Sequence, residues 1–309
     1  MKIAVLVPCY NEELTIEKVI NDFKKELPDC DVYVYDNNSK DKTYEIAEKS
    51  GAVVKKEYRQ GKGNVVRSMF MDIDADCYVM VDGDDTYPAE FVHALISPIL
   101  SGEANMVIGD RHSNGTYKNE NKRAFHNLGN VMVRTLINKL FSSDIKDIMT
   151  GYRSFDKEFV KSMPVLSEGF EIETEISIHA LDKRFLVKEI PIDYRDRPEG
   201  SVSKLNTFND GIKVLKTIFT LFKDYKPLIF FGIFSILFFV LGLAVGTPVL
   251  IEFINTKYIS KLPSAVLAVG LEILSFLSLS CAVILDTVVK QNKRIYELHL
   301  SQIKHNINN

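Results

Sequence analysis

The stretch VMVDGDDTYP, Val79 to Pro88, decides how the first part of the chain folds: an apolar run stops at three aspartates within four positions. A short apolar run closed by Asp and Gly reads as a buried strand ending in a turn. In an extended chain, residues two apart point the same way, so Asp82 and Asp84 present their carboxylates to one side while Asp85 faces elsewhere. Carboxylates so close together repel unless something positive sits among them. The pair suits a hard divalent cation, Mg²⁺ or Mn²⁺, which one or two carboxylates hold while phosphate oxygens complete its shell. The plainer alternative is an Asp-Gly turn that ends a strand and caps the next helix.

Outward from this stretch, short apolar runs alternate with helical patterns. IAVLVPCY, DVYVYDNN, AVVKKEY, CYVMVDGDD and MVIGDR read as strands, with helices expected near 13–27, 42–50, 62–75 and 88–102. Such alternation predicts an α/β fold with a mostly parallel, Rossmann-like sheet and crossover helices. Ligands collect at the carboxyl ends of such strands. Four of the strands end in polar residues there: Tyr10-Asn11-Glu12, Asp36 to Ser39, Asp82 to Asp84, and Asp110-Arg111. The run RQGKGN, Arg59 to Asn64, lacks the Walker pattern. It is either a plain loop or a backbone cradle that places Lys62 near a phosphate.

With 309 residues, 46% apolar and 26% charged, the chain is long enough for one sizeable domain and an additional segment. A net charge of -3 gives no support for nucleic-acid binding. The four cysteines, Cys9, Cys30, Cys77 and Cys281, have neither metal-type nor CxxC spacing, which fits a reducing compartment. The opening MKIAVLVPCYNEE is broken by Pro8 and acids and is a poor signal peptide.

Two later runs, Leu228 to Thr247 and Ala265 to Leu285, contain a single ionisable residue, Glu272. Each is long enough to cross roughly 30 Å of hydrocarbon. Lys213, Lys216, Lys223 and Lys226 precede the pair and Lys290, Lys293 and Arg294 follow it, against Lys257 and Lys261 between the spans. This distribution puts both termini in the cytoplasm of a multi-pass membrane protein. An acid inside a span is costly unless it is paired, and a contact with a second copy of the chain is the role expected of Glu272. The segment 207–226 repeats Phe208, Ile212, Leu215, Ile218, Phe219 and Phe222 at helical spacing between lysines. It is either a helix lying in the membrane interface or an amphipathic helix packed on the soluble part. The expected divisions are a cytoplasmic domain at 1–205, this helix at 206–226, a membrane hairpin at 227–290 and a tail at 291–309.

In order along the chain, VPCYNEE, DNNSKDKT, GKGN and DGDD resemble the motifs of a family-2 glycosyltransferase with the GT-A fold. GDRH, TGYRSF, a helical FEIETEI and GSVSKL before a membrane hairpin narrow the resemblance to the polyprenyl-phosphate glycosyltransferases, the group of dolichol-phosphate mannose synthase. That resemblance implies a metal-dependent, inverting transfer of a sugar from a nucleotide diphosphate sugar to polyprenyl (undecaprenyl) phosphate, for cell-envelope glycan assembly; the layout of the chain favours a UDP-sugar over a GDP-sugar as donor. It also implies that Pro8, Tyr10, Glu12 and Asp36 hold base and ribose, and that Asp82 and Asp84 hold Mg²⁺ or Mn²⁺; Lys62, if the RQGKGN run is a cradle, joins them at the nucleotide sugar. Arg111, Arg123, Arg153 and Lys204 would bind the acceptor phosphate, with Asp84, Asp147 and Arg153 the catalytic set.

Asp147 either orients the acceptor, pairs with an arginine or ends a turn. Of Glu171, Glu173 and Glu175, 171 and 175 share a helical face; one of the three contacts the sugar, or all belong to a solvated or paired face. Competing readings are a membrane-anchored transferase with a protein or soluble acceptor, and a non-catalytic scaffold that binds nucleotide sugar. A processive polysaccharide synthase of the QxxRW type is excluded, because the chain has no Trp.

Overall fold

The computed structural model describes residues 1–114, 124–169, 171–198 and 219–308, with the side chains of 124–130 and 308 left aside. The chain forms two compact units, one of Met1–Thr207 with His299–Asn309 and one of Phe208–Leu298.

The first unit is built on a seven-stranded sheet. Its strands are β1 (Ile3–Cys9), β2 (Asp31–Asp36), β3 (Val53–Lys56), β4 (Cys77–Met80), β5 (Met106–Asp110), β6 (Arg153–Asp156) and β7 (Val187–Pro191), in the order β3-β2-β1-β4-β6-β5-β7. The central strands are apolar without alternation because crossover helices cover both faces of the sheet. Ala4 to Val7 of β1 and Cys77 to Met80 of β4 are all fully buried, each large side chain contributing roughly 1.5–3 kcal/mol. Helix α1 (Ile16–Glu26) buries Ile16, Val19, Ile20 and Phe23, one apolar stripe at helical spacing. Helices α2 (Thr43–Lys49), α3 (Lys62–Asp72) and α4 (Val92–Leu100) complete the alternation expected from sequence.

Register fixes which residues meet at the sheet edge. Cys9 lies beside Asp36, and Leu6 beside Met80, so the polar segments after β1, β2 and β4 emerge together. Strand β6 runs antiparallel between β4 and β5, with Met80 opposite Arg153. The same register carried two residues further sets Gly151 opposite Asp82. Three non-glycine residues with left-handed backbone, Asn11 (φ 53°), Asn38 (φ 61°) and Asp85 (φ 57°), sit just beyond β1, β2 and β4. Such conformations cost energy and concentrate where function shapes a loop. Helices α5 (Ala124–Phe141), α6 (Lys157–Ser162) and α7 (Ile172–Asp182) follow in the second half of the unit.

The second unit holds α8 (Pro227–Thr256) and most of α9 (Leu262–Asn308), both long and apolar enough to cross a membrane. The expected spans fall inside these helices, and the segment expected as a tail continues α9. Along the hairpin, Ser235, Gly242 and Val249 are buried against Ala268, Ser275 and Ala282, each set at seven-residue spacing. The Ser275 hydroxyl donates to the Ser235 carbonyl at 2.9 Å. Glu272 turns into this seam: a Cβ on Gly242 would stand 2.5 Å from Glu272 Oε1. The carboxylate therefore faces Gly242 of its own chain. The expected interface helix lies mostly outside the described residues. Its end, 219–225, is helical, and Phe219 and Phe222 pack their rings on Phe230.

Candidate active site

Asp82 and Asp84 face the site as a pair, and each already carries a cation. Asp82 Oδ1 lies 2.5 Å from Lys62 Nζ, and Asp84 Oδ2 lies 2.5 Å from an Arg197 terminal nitrogen. Asp84 is the deeper of the two, and its Oδ1 accepts the Thr86 hydroxyl at 2.6 Å. Burial and the neighbouring Asp82 raise its pKa, against the opposing pull of Arg197 and Thr86. Asp85 points away and pairs with Lys18 of α1 at 2.7 Å. Gly151 lies under Asp82: a Cβ there would come within 2.5 Å of Oδ2.

Lys62 also meets Glu173 Oε1 at 2.5 Å. Burial alone would lower the Lys62 pKa, yet Asp82 and Glu173 outweigh it and hold the ammonium charged. Three carboxylates, Asp82, Asp84 and Glu173, stand against two cations, Lys62 and Arg197. Among the described residues the cluster keeps one net negative charge, which disfavours a dianionic phosphate ligand unless an added cation accompanies it. Among the described residues no group of three or more His, Cys, Asp or Glu could hold a metal. Two carboxylates with hard oxygens instead fit a Mg²⁺ or Mn²⁺ ion that takes its other ligands from phosphate.

The GKG segment is not the phosphate cradle that its composition allows. The Gly63 N–H donates to the Gly169 carbonyl at 3.1 Å and the Asn64 N–H to the Glu168 carbonyl at 3.3 Å, so these amides are already used. A Cβ on Gly63 would lie 2.6 Å from the Ser167 carbonyl carbon. The glycines let the amino end of α3 dock directly on the backbone of 167–169, which leads into α7 and delivers Glu173 to Lys62. Of the three glutamates, Glu173 is the one at Lys62, and Glu175 accepts the Leu166 and Ser167 amides at 3.0 and 2.8 Å, so both lie on a paired face.

Arg111 and Asp147 form a bidentate pair, with Nε to Oδ2 at 2.7 Å and a terminal nitrogen to Oδ1 at 2.9 Å. Burial pushes the Asp147 pKa up, but Arg111 prevails and holds it below the usual carboxylate range. Of the three roles open to Asp147, pairing with an arginine is the one the structure adopts. Tyr87 and Tyr194 enclose this pair: Arg111 donates to the Tyr87 hydroxyl at 3.3 Å and stacks 5.5 Å from the Tyr194 ring. The Gly151 amide donates to the same Tyr87 hydroxyl at 3.0 Å.

Arg153 departs from expectation. It is fully buried and donates to the carbonyls of Thr150 (3.0 Å) and Ile148 (2.5 Å) and to the Ser177 hydroxyl (2.9 Å). Burial lowers its pKa to about 10. It ties β6 to α7 from inside and offers no surface to an acceptor phosphate. Arg123 and Lys204 lie outside the described residues.

At the other end of the edge, Pro8 lies beside Tyr35 just before β1 ends at Cys9, and Tyr10 and Glu12 follow. The Glu12 N–H donates to Thr43 Oγ1 at 2.8 Å and the Asn11 N–H to Ser39 Oγ at 2.9 Å, locking this loop to the segment after β2. Asp36 is buried; Oδ2 accepts the Ser39 amide at 3.3 Å, while Oδ1 is a buried acceptor without a hydrogen-bond partner among the described residues. An orphaned buried carboxylate oxygen calls for a donor supplied by a ligand. Thr86, Tyr87, Gly151 and Arg197 were not anticipated from sequence. Only Arg197 carried a usable signal there, as an arginine just after a strand that ends at the same edge.

Acids and cations gathered at the carboxyl edge of a mostly parallel sheet define an α/β protein with a charged site where such folds hold their ligands. The chain belongs to the Glycosyl transferase family 2, whose family profile matches residues 4–163. It is 33% identical over 304 residues to "Glycosyltransferase AglJ" of Haloferax volcanii, covering 96% of this chain and 98% of the relative. It is 30% identical over 216 residues to a "Dolichyl-phosphate hexose transferase" of the same organism, covering 70% and 92%. Mycobacterium tuberculosis glucosyl-3-phosphoglycerate synthase, solved with Mn²⁺ and UDP-glucose, shares the fold at a TM-score of 0.54 and 24% identity, over 72% of this chain and 78% of that one.

Proposed function

We propose that this chain is a membrane-bound, inverting glycosyltransferase that moves a sugar from a nucleotide diphosphate sugar, a UDP-sugar by preference, to a polyprenyl phosphate at the cytoplasmic face. The observation that carries it is the alternation of Asp82 with Lys62 and of Asp84 with Arg197 at the sheet edge. Two carboxylates and two cations are the charges that a cation-bound diphosphate and a second phosphate require side by side. The relative named for dolichyl-phosphate hexose transfer supports the lipid acceptor, and the structural neighbour solved with Mn²⁺ and UDP-glucose supports the donor class. The two apolar helices and their flanking lysines support the membrane setting.

Asp82 and Asp84 would hold the Mg²⁺ or Mn²⁺, whose charge offsets that developing on the departing nucleoside diphosphate. An oxygen of the acceptor phosphate attacks the anomeric carbon as the bond from that carbon to the donor's β-phosphate oxygen breaks, so configuration inverts. The attacking group is already an anion, its second pKa near 6, and orientation matters more than proton removal. Asp147 accordingly holds Arg111 in a fixed pose instead of serving as a base. Arg111 and Arg197, with Arg123 and Lys204, would receive the acceptor phosphate. Asp36 favours UDP: its single open oxygen matches the one ring N–H of uracil, whereas guanine offers adjacent donors that call for both carboxylate oxygens.

The test is transfer by full-length protein in detergent, with undecaprenyl phosphate, Mn²⁺ or Mg²⁺ and a panel of UDP- and GDP-sugars. Labelled lipid from one donor, abolished by EDTA, is the expected result. Nucleotide release without labelled lipid would replace the lipid by a soluble or protein acceptor, and no release from any donor would leave a binding scaffold.

A further inference from the structure

Lys62 is held more firmly than a donor-site lysine at a loop tip. Its side chain is 10% exposed, between Glu173 at 7% and Asp82 at 27%. Asp82 is thus the outward member of the trio and Glu173 the inward one. Both helices that supply the inner pair are pinned by backbone: Gly63 and Asn64 of α3 bond the carbonyls of Gly169 and Glu168, and the amides of Leu166 and Ser167 bond Glu175 of α7. The Lys62–Glu173 contact is therefore fixed by the fold, and the Lys62–Asp82 contact is the one free to exchange.

We propose that Lys62 is the exchangeable counter-ion of Asp82 and that Glu173 is the positioning residue that retains it, an inference that rests on the donor site proposed above. Without a divalent cation Lys62 neutralises Asp82. With that carboxylate given to a cation, the Lys62 ammonium would stay on Glu173 and turn its released N–H donors to the donor diphosphate. An ammonium has three donors, so one remains on Glu173 while the others reach phosphate oxygens. The positive charge freed from Asp82 is then spent on the leaving group, and no proton is transferred in the exchange.

The experiment is Mn²⁺ binding by the full-length protein in detergent, free Mn²⁺ being read by electron paramagnetic resonance, with and without UDP. Lys62→Met removes the competitor of Mn²⁺ at Asp82. It is expected to tighten Mn²⁺ alone by about threefold and to weaken UDP in the presence of Mn²⁺ by about tenfold or more. Glu173→Gln leaves the ammonium to Asp82 and is expected to weaken Mn²⁺ alone as well as UDP. Lys62→Arg, which keeps the charge, is expected to retain most of the UDP affinity. Opposite signs for Lys62→Met and Glu173→Gln toward Mn²⁺ alone separate this role from a structural one, which would weaken both. Shifts of the same sign, or none in either variant, overturn the inference while leaving the donor site intact. Failure of the unaltered protein to bind UDP with Mn²⁺ overturns the donor site and the inference together.

Discussion

A methyl group at position 151 probes the site with little else disturbed. Gly151 lies outside the left-handed backbone region, so alanine is conformationally acceptable, and its amide bond to the Tyr87 hydroxyl is kept. The added Cβ would stand 2.5 Å from Asp82 Oδ2 and 2.8 Å from its Cγ. Ordinary contact between such atoms begins near 3.4 Å, so the carboxylate must swing outward by about 1 Å. That displacement moves a carboxylate proposed to hold the cation and stretches the Lys62 contact. Misplacement on this scale costs about 10²-fold in turnover, whereas the outward-facing Asp82 can shift at a stability cost of about 1 kcal/mol. Gly151→Ala should therefore lose about two orders of magnitude in kcat/KM for sugar transfer, keep its Tm within about 4 °C and bind Mn²⁺ with UDP more weakly. Full transfer activity with unchanged Mn²⁺ affinity would show that the position of the Asp82 carboxylate does not matter to the chemistry.

Gly63→Ala should act on stability: overpacking against Ser167 and loss of two backbone hydrogen bonds amount to about 3–5 kcal/mol, a fall of about 10 °C in Tm. An unchanged Tm would refute the docking role of the glycine. Burial, aided by Lys183 and opposed by Asp182, lowers the His179 pKa from 6.5 to about 4. The unfolded chain takes up this proton first as pH falls, so stability drops between pH 6.5 and 4 by up to about 3 kcal/mol; His179→Phe, beside Phe159 and Phe185, should show a smaller loss of Tm from pH 7.5 to 5. Asp36→Asn, which replaces an acceptor by an amide, should weaken UDP about tenfold without changing Mn²⁺ affinity, and equal UDP binding would remove Asp36 from the base site.

Strands β1, β2, β4 and β5 were legible because each is an apolar run cut off by polar residues, and the parallel fold follows from their alternation with helices. Strand β6 was not: RSFD has one large apolar side chain and an arginine at a buried position. Its place between β4 and β5 depends on long-range register. Asp82 and Asp84 could be paired from spacing two apart, because a local rule governs them. Glu173 obeys no such rule, since docking of α3 on 167–169 selects it over Glu171 and Glu175. Arg153 misled because sequence reports the charge of a guanidinium and says nothing of the carbonyls that enclose it. For GKG, composition indicated close backbone approach correctly but not its object, which is another stretch of the same chain.

The antiparallel β6 also sets an order of events during synthesis. Seventy-two residues separate Met80 from Arg153, so at about 5–20 residues per second the free edge of β4 waits roughly 4–14 s for its neighbour. Through that interval an apolar strand with unpaired amides is open to the wrong partner. The half from β1 to β4 can form on the ribosome, but Gly151 and Arg197 reach Asp82 and Asp84 only later, shortly before the first apolar helix at Pro227 is made. A nascent chain paused between residues 110 and 150 would be the species most prone to misassociation, and one released after residue 200 would already carry a closed sheet.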